Sequence, residues 1–582
     1  MKIKLYYDTI SRIPLKQVFF LFKEKVFKRF FNISRPPSFE SLNKKFDVDK
    51  KLNTFRKNLE RITVNDIPIW DIGIKRLKFE HRYDNYIFNV LERYKKSNSN
   101  EVLSEMFNHN DEDIEFLYNI QRFHKFDLYM GHLLFSDEQK IEVINFWIKH
   151  FPPQKGLAWT GFNCSIRVLN WIKIIAKINR HSDIPEFRNV FLSILQNIDF
   201  VQKNIEHHIP GNHVIFQYFL LWLVFFLIDD ERKSSFSANF EQEFLSEFLP
   251  NGTHFELSSH YHVQTLLLGL YYKFLMENVS ARFSSRLKSA MGFFDAISFA
   301  NDKLPLIGDN CYNFFHHSLS EDASNINEIR KFIGLSVSQT DEIMNFDNEY
   351  LIAEKNRFKL IFDVGNLGLY QNPGHGHADL LNVLLAYEHT PIFIDAGTRR
   401  YSNNASDLTL KRTISHNTLS VNGEDQAFLW GFFRWAFLPV VFLPKVEITK
   451  NVLSLSGKFT GYFHFDKITH SRNIELHDNE IVIKDNVSSH EKEITFIEQT
   501  FVLAPQIEVT LRGKNIFLSV NNLNFSLTIE NSGEFETSVS NEKIFSTYDK
   551  ETFSKWIKIK HLSISNKKFQ STIRLRKVNE QN

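Results

Sequence analysis

The chain has 582 residues, of which 43% are hydrophobic and 24% are charged, and its formal net charge is +2. This composition is that of a globular protein and excludes a disordered or collagen-like chain. The small net charge provides no general basic field, so composition does not favour nucleic acid as a partner. Cys164 and Cys311 are too few for a disulfide framework or a cysteine-rich zinc site, and we expect both to be buried thiols.

The first 40 residues form a basic segment with short apolar runs. The longest run, VFFLF at 18–22, is shorter than the ~7–15 apolar residues of a secretory signal, and no small-residue cleavage site follows. We expect a basic amphipathic helix that either docks on its own domain or contacts a membrane surface through residues 13–31. The expected location is therefore cytoplasmic, or peripheral at the cytoplasmic membrane.

Up to about residue 340, apolar residues recur at helical spacing. IEVINFWIKH at 141–150 and SIRVLNWIKIIAKI at 165–178 carry them three and four positions apart, and breaks such as FPPQKG separate these segments. The apolar run at 214–228 is shorter than the ~20 residues needed to cross a bilayer, so we expect a buried helix. Serial helix pairs of this length are typical of a helical toroid.

From about residue 349, short alternating segments rich in Val, Ile, Thr and Phe replace the helical pattern, as in KVEITKNVLSLSGKFTGYFHF at 445–465. Turn pairs such as KN, DN and GK separate these segments, which predicts an antiparallel β-sandwich. The expected fold is α+β, with a helical toroid followed by a β-sandwich and residues 335–349 as the linker.

Two motifs of the helical half place polar residues ahead of apolar helices. In GNH at 211–213, Asn212 and His213 begin the long apolar helix, a position suited to binding a carboxylate unless Asn212 is only a helix cap. In NGTHFELSSHYHVQT at 251–265, Tyr261 precedes another apolar run and is either a catalytic group or a core aromatic. Neither motif alone decides between these interpretations.

A third motif, NPGHGHADLL at 372–381, places His375 and His377 two residues apart in the β half. Side chains two apart on a strand point to one face, so we expect both imidazoles in one site, with Asp395 and His416 on neighbouring strands. Two histidines and an aspartate are ligands that zinc or manganese takes, although spacings of 18 and 21 residues make no compact local motif.

Taken in order, these motifs resemble those of the heparinase II/III-like polysaccharide lyases. NPGHGHADLL, PIFIDAGT and KRTISHNTLSVNGEDQ are similar to the β-domain signature of that family, and FPPQKGLAWTGFNCSIRVLNWIKII to its helical-domain signature. HFELSSHYH and LPLIGDN match further family segments. The resemblance implies an incomplete (α/α) toroid carrying an antiparallel β-sandwich. We expect an N-terminal segment, a toroid and a sandwich at residues 1–40, 41–345 and 346–582.

The resemblance also implies β-elimination from a uronic-acid-containing polysaccharide, in a cleft between the two domains. By motif position, Tyr261 would be the catalytic tyrosine, His375 its partner, and Asn212 or His213 the group that neutralises the uronate carboxylate. Three residues would hold a structural divalent metal, usually zinc in this family: His377, Asp395 and His416. Three more are expected to contact the substrate: Glu256, Arg412 and Trp159.

The chain departs from the family pattern in two places. Residues 214–216 are Val-Ile-Phe where the family often has a glutamate, which puts the carboxylate pocket and the substrate in question, and IEQTFVLAP at 497–505 lacks an aromatic-His pair. Alternatives stay open because the same site could return a proton to the opposite sugar face, as in a uronyl C5-epimerase. A non-catalytic role in assembling a bacterial surface polysaccharide is another alternative, and a periplasmic location is the one the family suggests.

Overall fold

The structure is a computed structural model in which helices fill the first half of the chain and strands the second, which confirms the predicted α+β class. It describes residues 2–578 apart from the following gaps: 23–35, 65–81, 112, 154–156, 179–183, 210, 277, 300–303, 315–316, 319–325, 332, 336–341, 450, 463–467, 491–492, 531–532, 563 and 565–566.

Among the described residues, most helices lie before residue 298, residues 326–331 are also helical, and one further short helix follows at Ala405–Thr409. Their bounds are α1 Lys2–Ser11, α2 Leu15–Phe22, α3 Phe39–Lys45, α4 Val48–Val64, α5 Arg82–Ser97, α6 Asn100–Phe107, α7 Ile114–Gln121, α8 Phe126–His132, α9 Asp137–His150, α10 Gly161–Ala176, α11 Phe187–Lys203, α12 Asn212–Leu227, α13 Lys233–Glu247, α14 Ser259–Leu275, α15 Ala281–Ile297 and α16 Ala405–Thr409.

Local sequence explains where these helices begin and what they bury. Ser136 forms a capping box with Gln139 at the start of α9, and Thr160 caps α10. Helix α12 is apolar on every side and packs on α10, α11, α13 and α14, as an all-apolar helix in a protein core must. The run at 214–228 is thus a buried helix, as predicted. Among the described residues, no helix has both the length and the apolar character to cross a bilayer.

The strands fill most of the chain from residue 313 onward. Their bounds are β1 Asn313–Phe314, β2 His317–Ser318, β3 Ile343–Phe346, β4 Tyr350–Lys355, β5 Phe358–Asp363, β6 Val383–Tyr387, β7 Thr390–Phe393, β8 Leu419–Val421, β9 Phe428–Gly431, β10 Arg434–Ala436, β11 Val440–Ile448, β12 Leu453–Gly461, β13 Ile468–Leu476, β14 Glu480–Ser488, β15 Ile497–Val502, β16 Glu508–Arg512, β17 Asn515–Val520, β18 Leu523–Glu530, β19 Phe535–Thr547, β20 Lys550–His561 and β21 Lys568–Val578.

Three antiparallel sheets share one apolar core. Their strand orders are β3-β4-β5-β6-β7, β19-β20-β15-β8 and β11-β12-β13-β14-β21-β18-β17-β16. Strand β13 buries every second residue, which is the alternation of a sheet with one packed face. Inside this core, Arg472 of β13 forms a bidentate pair with Asp485 of β14, both at 2.8 Å. Arg472 also donates to the carbonyls of Leu381 and Asn417, beside the candidate site.

The two domains share apolar surface. Phe346, Tyr350, Ile352 and Leu384 of the five-stranded sheet belong to the same buried cluster as the toroid helices. Strand β3 already begins this sheet at Ile343, so the prediction of a linker over 335–349 is wrong from residue 343, and 336–341 lie outside the described residues. The domain boundaries at residues 40 and 345 stay a prediction.

The N-terminal segment forms two helices, α1 and α2, separated at residues 12–14, where we expected one helix. Both pack on the rest of the chain, and both also carry exposed apolar side chains: Tyr7, Ile10, Leu15, Phe19 and Phe22. Residues 23–31 of the proposed membrane-contacting stretch lie outside the described residues. Membrane contact through residues 13–31 therefore stays a prediction.

Candidate active site

Tyr261 and His375 come from different domains and meet at the interface between them, where the family resemblance implies a cleft. Tyr261 lies in the first turn of α14, and its ring centroid is 4.1 Å from that of His375. The Tyr261 hydroxyl is 2.9 Å from the hydroxyl of Tyr401. Tyr261 is 7% exposed and the His375 side chain 20%, so the pair is sheltered but open on one side.

His375 and His377 lie in the loop between β5 and β6, so the expectation that one strand presents both is wrong. The loop instead passes over Asp309, where His375 Nδ1 lies 3.0 Å from Oδ2 and His377 Nε2 lies 2.9 Å from Oδ1. Gly376 makes this path possible, because an added Cβ there would lie 1.5 Å from the carbonyl oxygen of Leu367. The two imidazoles therefore converge on one carboxylate.

Asp309 is the buried anion of the site. Lys411 Nζ lies 3.0 and 2.9 Å from its two oxygens and donates also to the Gly374 carbonyl. Burial alone would raise the pKa of Asp309, but Lys411, His375 and His377 outweigh it and hold that pKa well below the usual range. Burial also lowers the pKa of His375, against the opposing effect of Asp309. An ionised carboxylate only accepts hydrogen bonds, so His375 Nδ1 carries the proton and Nε2 keeps its lone pair.

A tyrosine that acts as a base needs a lowered pKa, and the surroundings of Tyr261 have the opposite effect. Burial, together with the nearby Glu256 and Asp309, raises the pKa of Tyr261 well above its ordinary value, and the hydrogen bond with Tyr401 opposes this only in part. The phenol therefore keeps its proton at neutral pH. Arg412 provides no compensating positive charge here, since its side chain pairs with Asp425 at 2.7 Å.

Asn212 and His213 begin α12, as predicted. Asn212 Nδ2 donates to Gln264 Oε1 at 3.3 Å. His213 Nδ1 is 2.7 Å from Glu206 Oε2, and its ring stacks on Phe162 with centroids 4.2 Å apart. The His213 side chain is 30% exposed, so it is oriented by two partners while one edge remains open to solvent.

Glu256 packs against the start of the same helix. Gly211 has φ +123°, and an added Cβ there would lie 2.0 Å from Glu256 Oε1, so only glycine permits this approach. The other oxygen, Oε2, is buried without a hydrogen-bond partner. Burial, with a smaller contribution from Asp309, raises the pKa of Glu256 to about 8. Glu256 is consequently a protonated donor beside Asn212 at neutral pH.

Among the contacts of the described residues, neither Trp159 nor Arg412 touches Tyr261 or His375. Trp159 donates from Nε1 to the Phe151 carbonyl at 3.2 Å, and it lines a cavity of about 400 Å³ together with His109 and His150. The Arg412 side chain is 45% exposed beside Asp425. Substrate contacts by these two residues stay a prediction.

His377, Asp395 and His416 do come together, and their ligand atoms lie within 4.8 Å of one another. They lie in loops beside β6, β7 and β8, whereas strand positions were expected. His377 Nε2 donates to Asp309 and His416 Nδ1 donates to Asp395 Oδ2 at 2.9 Å, which leaves a lone pair on the other nitrogen of each ring. Those nitrogens, His377 Nδ1 and His416 Nε2, are buried without a partner, as is Asp395 Oδ1. Three unpaired acceptors in one buried place fit a divalent metal ion.

Three residues of the site were missed in the sequence: Asp309, Lys411 and Tyr401. The Gly308-Asp309 turn was visible as part of LPLIGDN, and Gly308 has φ +63° with an added Cβ 2.9 Å from the His375 carbonyl oxygen. A glycine at this turn was the available sign that another segment of the backbone packs closely against it. Lys411 stands next to Arg412, and the pattern did not show which of the two faces inward.

Two family models match the chain: Heparinase II/III N-terminus over residues 135–325 and Heparinase II/III-like, C-terminal over residues 347–574. A comparison with curated protein sequences finds no match. Among solved structures, a heparinase III superposes with a TM-score of 0.64 at 16% identity, covering 81% of this chain and 79% of that chain. The heparan sulfate lyase HepC from Pedobacter heparinus gives 0.58 at 13% identity, covering 90% and 88%. At these identities the superpositions show the fold.

The two models together cover more than half of the chain, in the order of the two domains seen in the structure. The matched ranges include the loop of His375 and His377 and the helix of Tyr261. The chain therefore belongs to the heparinase II/III family and is a polysaccharide lyase.

Proposed function

We propose that the enzyme eliminates across the C4–C5 bond of a uronic acid residue in an acidic polysaccharide. The observation that carries this proposal is the contact of Tyr261 with His375, at 4.1 Å between ring centroids, with the Asp309 carboxylate 3.0 Å from Nδ1 of His375. A buried phenol that keeps its proton can act as an acid. A neutral imidazole backed by an ionised carboxylate can act as a base.

In the proposed reaction, His375 Nε2 takes the proton from C5. The electron pair of the C5–H bond forms the C4–C5 double bond while the C4–O4 bond breaks, and Tyr261 gives its proton to O4. Asp309 stabilises the imidazolium that forms, and Tyr401, 2.9 Å away, donates to the new phenolate oxygen. The proton held by His375 then returns to Tyr261, either directly or through water, which restores both groups.

The uronate carboxylate needs hydrogen-bond donors, because C5 becomes more acidic as charge on the carboxylate is stabilised. Asn212 offers an amide N–H, Glu256 offers a carboxyl that is protonated at neutral pH, and His213 would donate from Nε2 as an imidazolium paired with Glu206. These three groups surround the start of α12. We assign them to the carboxylate pocket, which the sequence alone left in question.

His377, Asp395 and His416 would hold a divalent ion, and the histidine-rich donor set favours zinc. When bound, the ion would supply a rigid cross-link between the three loops. Because elimination consumes no water, no metal-bound hydroxide is required. Asp309 joins this centre to the base, since it accepts from both His377 and His375.

The test is the ultraviolet absorbance of a 4,5-unsaturated uronate. The purified enzyme would be incubated with heparan sulfate, chondroitin sulfate, hyaluronan, alginate and the surface polysaccharide of the producing cell. Tyr261→Phe and His375→Ala should each lower the rate by at least about 100-fold. Matched controls are Tyr7→Phe and His389→Ala, both at exposed positions. Full activity of either active-site variant would contradict its assigned role.

A C5-epimerase would use the same base but leave the chain intact. Solvent deuterium entering C5 without any unsaturated product would identify that reaction and overturn the proposed elimination. Neither deuterium incorporation nor unsaturated product on any polymer would contradict both uronate reactions.

A further inference from the structure

Helix α1 is attached to the sandwich wall of the cleft. Arg12 at its end donates from Nη2 to the Trp435 carbonyl at 2.6 Å and from Nη1 to the Tyr370 carbonyl at 3.3 Å. Asp8 accepts from the backbone N–H of Phe437 at 3.0 Å. The Arg12 side chain is only 6% exposed, so these contacts form a buried polar anchor.

Helix α2 is attached to the toroid wall instead. Gln17 Nε2 donates to the His208 carbonyl at 3.0 Å, and the Phe20 ring lies 5.0 Å from that of His207. Residues 12–14 therefore cross from one domain to the other, and α1 with α2 connects the two walls.

Both attachment points lie close to active-site residues, in the sequence or through a ring contact. Tyr370 precedes His375 in the same loop, and Phe433, beside the β10 anchor, packs edge-on against His375 at 5.5 Å between centroids. On the toroid side, Glu206 precedes His207 and holds His213 at 2.7 Å. Each helix is therefore attached within a few residues of a group that touches His375 or His213.

We propose that α1 and α2 form a strap that sets how far the cleft opens and closes one side of it to the polysaccharide. The polysaccharide part of this inference rests on the proposed elimination. The apolar contact between the five-stranded sheet and the helices limits rotation of the domains at their shared surface, but hinge motion about that surface is still open to them. Here a second, separate attachment opposes that motion. Because both attachment points lie beside active-site residues, the strap would block that end of the cleft, and products would be short fragments released from the open side.

Loosening both anchors should widen the cleft, and this can be measured without any substrate. The variant would carry Arg12→Ala and Gln17→Ala, and the control would carry Arg188→Ala, which removes an exposed ion pair with Asp49. Spin labels would be placed by Ser235→Cys in the toroid and Ser519→Cys in the sandwich, both exposed positions. The native thiols Cys164 and Cys311 are buried and should not react.

We expect a narrow distance distribution between the labels in the parent and the control, and a broader, longer one in the double variant. Identical distributions in all three proteins would overturn the strap. With a polymer that the parent cleaves, the double variant should release longer early products and lose about 10- to 100-fold in rate, because small displacements of catalytic groups are costly.

Early products of unchanged length would overturn the role in product size. If no protein formed unsaturated product on any polymer, the proposed elimination would fail, and the distance measurement would still decide whether the strap sets the cleft opening.

Discussion

Replacing Asp309 by asparagine separates the catalytic from the structural task of this residue. Asp309 is fully buried and accepts from Lys411, His375 and His377. Asparagine has nearly the same shape but replaces one acceptor oxygen by an NH₂ donor. That donor must face groups that themselves donate, and the buried Lys411 ammonium loses its counter-charge.

The substitution should lower both the free energy of unfolding and kcat. Removing one partner of a buried ion pair costs about 3–5 kcal/mol in the free energy of unfolding. The variant should still fold, since domains have a margin of about 5–15 kcal/mol. The amide also permits the other tautomer of His375, in which Nε2 carries the proton and cannot act as a base. By analogy with buried Asp–His pairs in other enzymes, kcat should fall by about 10³- to 10⁴-fold.

The assay compares Asp309→Asn with the double variant that adds Lys411→Met. The double variant buries no unpaired ammonium, so urea denaturation should show that most of the lost stability returns. Its kcat, measured as the initial rate of unsaturated uronate formation at saturating substrate, should stay low because His375 remains without its carboxylate. Recovery of kcat together with stability would refute the assignment of Asp309 as the residue that orients His375.

Three further predictions concern pH, metal and core. Since the pKa of Glu256 is raised to about 8, the group is protonated below that pH, and kcat/KM should fall above it as the new carboxylate repels the uronate. Glu256→Gln should remove this alkaline limb, and an unchanged pH profile would exclude Glu256 as the donor. His416→Ala should lower the metal content measured by atomic emission, whereas equal content in parent and variant would argue against the triad. Arg472→Met leaves Asp485 and the carbonyls of Leu381 and Asn417 short of donors, so urea denaturation should show a loss of about 3–5 kcal/mol. A loss under about 1 kcal/mol would mean that this network is not needed for stability.

The fold could be predicted because its signals are repeated along the chain. Helical spacing at 141–150 and 165–178 and alternation at 445–465 each extend over many residues. The structure has helices over most of the first two segments and strands at 445–448 and 453–461 of the third. A chance arrangement would rarely maintain either period over such lengths. The match of α12 with the run at 214–228 has the same cause, since so apolar a helix is buried in a core or spans a bilayer, and this run is shorter than the ~20 residues that a span needs.

The site was predictable only in part because local pattern does not report long-range contact. His375 and His377 have the spacing of a strand, yet the close approach of Leu367 to Gly376 forces a loop. Asp309 lies far from both histidines in the sequence, and nothing local marks it as their common acceptor. The choice between Lys411 and Arg412 depends on the short 3₁₀ turn that follows them, which only the folded backbone defines.

The apolar surface shared by the two domains has a consequence for synthesis. Helices α9 to α15 leave the ribosome before the strands that cover them, and Tyr350, Ile352, Leu384 and Ala386 complete their core only after these residues are made. At ~5–20 residues per second, the nascent toroid waits on the order of 5–20 s with this surface uncovered. During that interval it is a target for chaperones and for association between neighbouring chains. Cutting the gene between the domains should therefore give an insoluble toroid unless the sandwich is supplied at the same time.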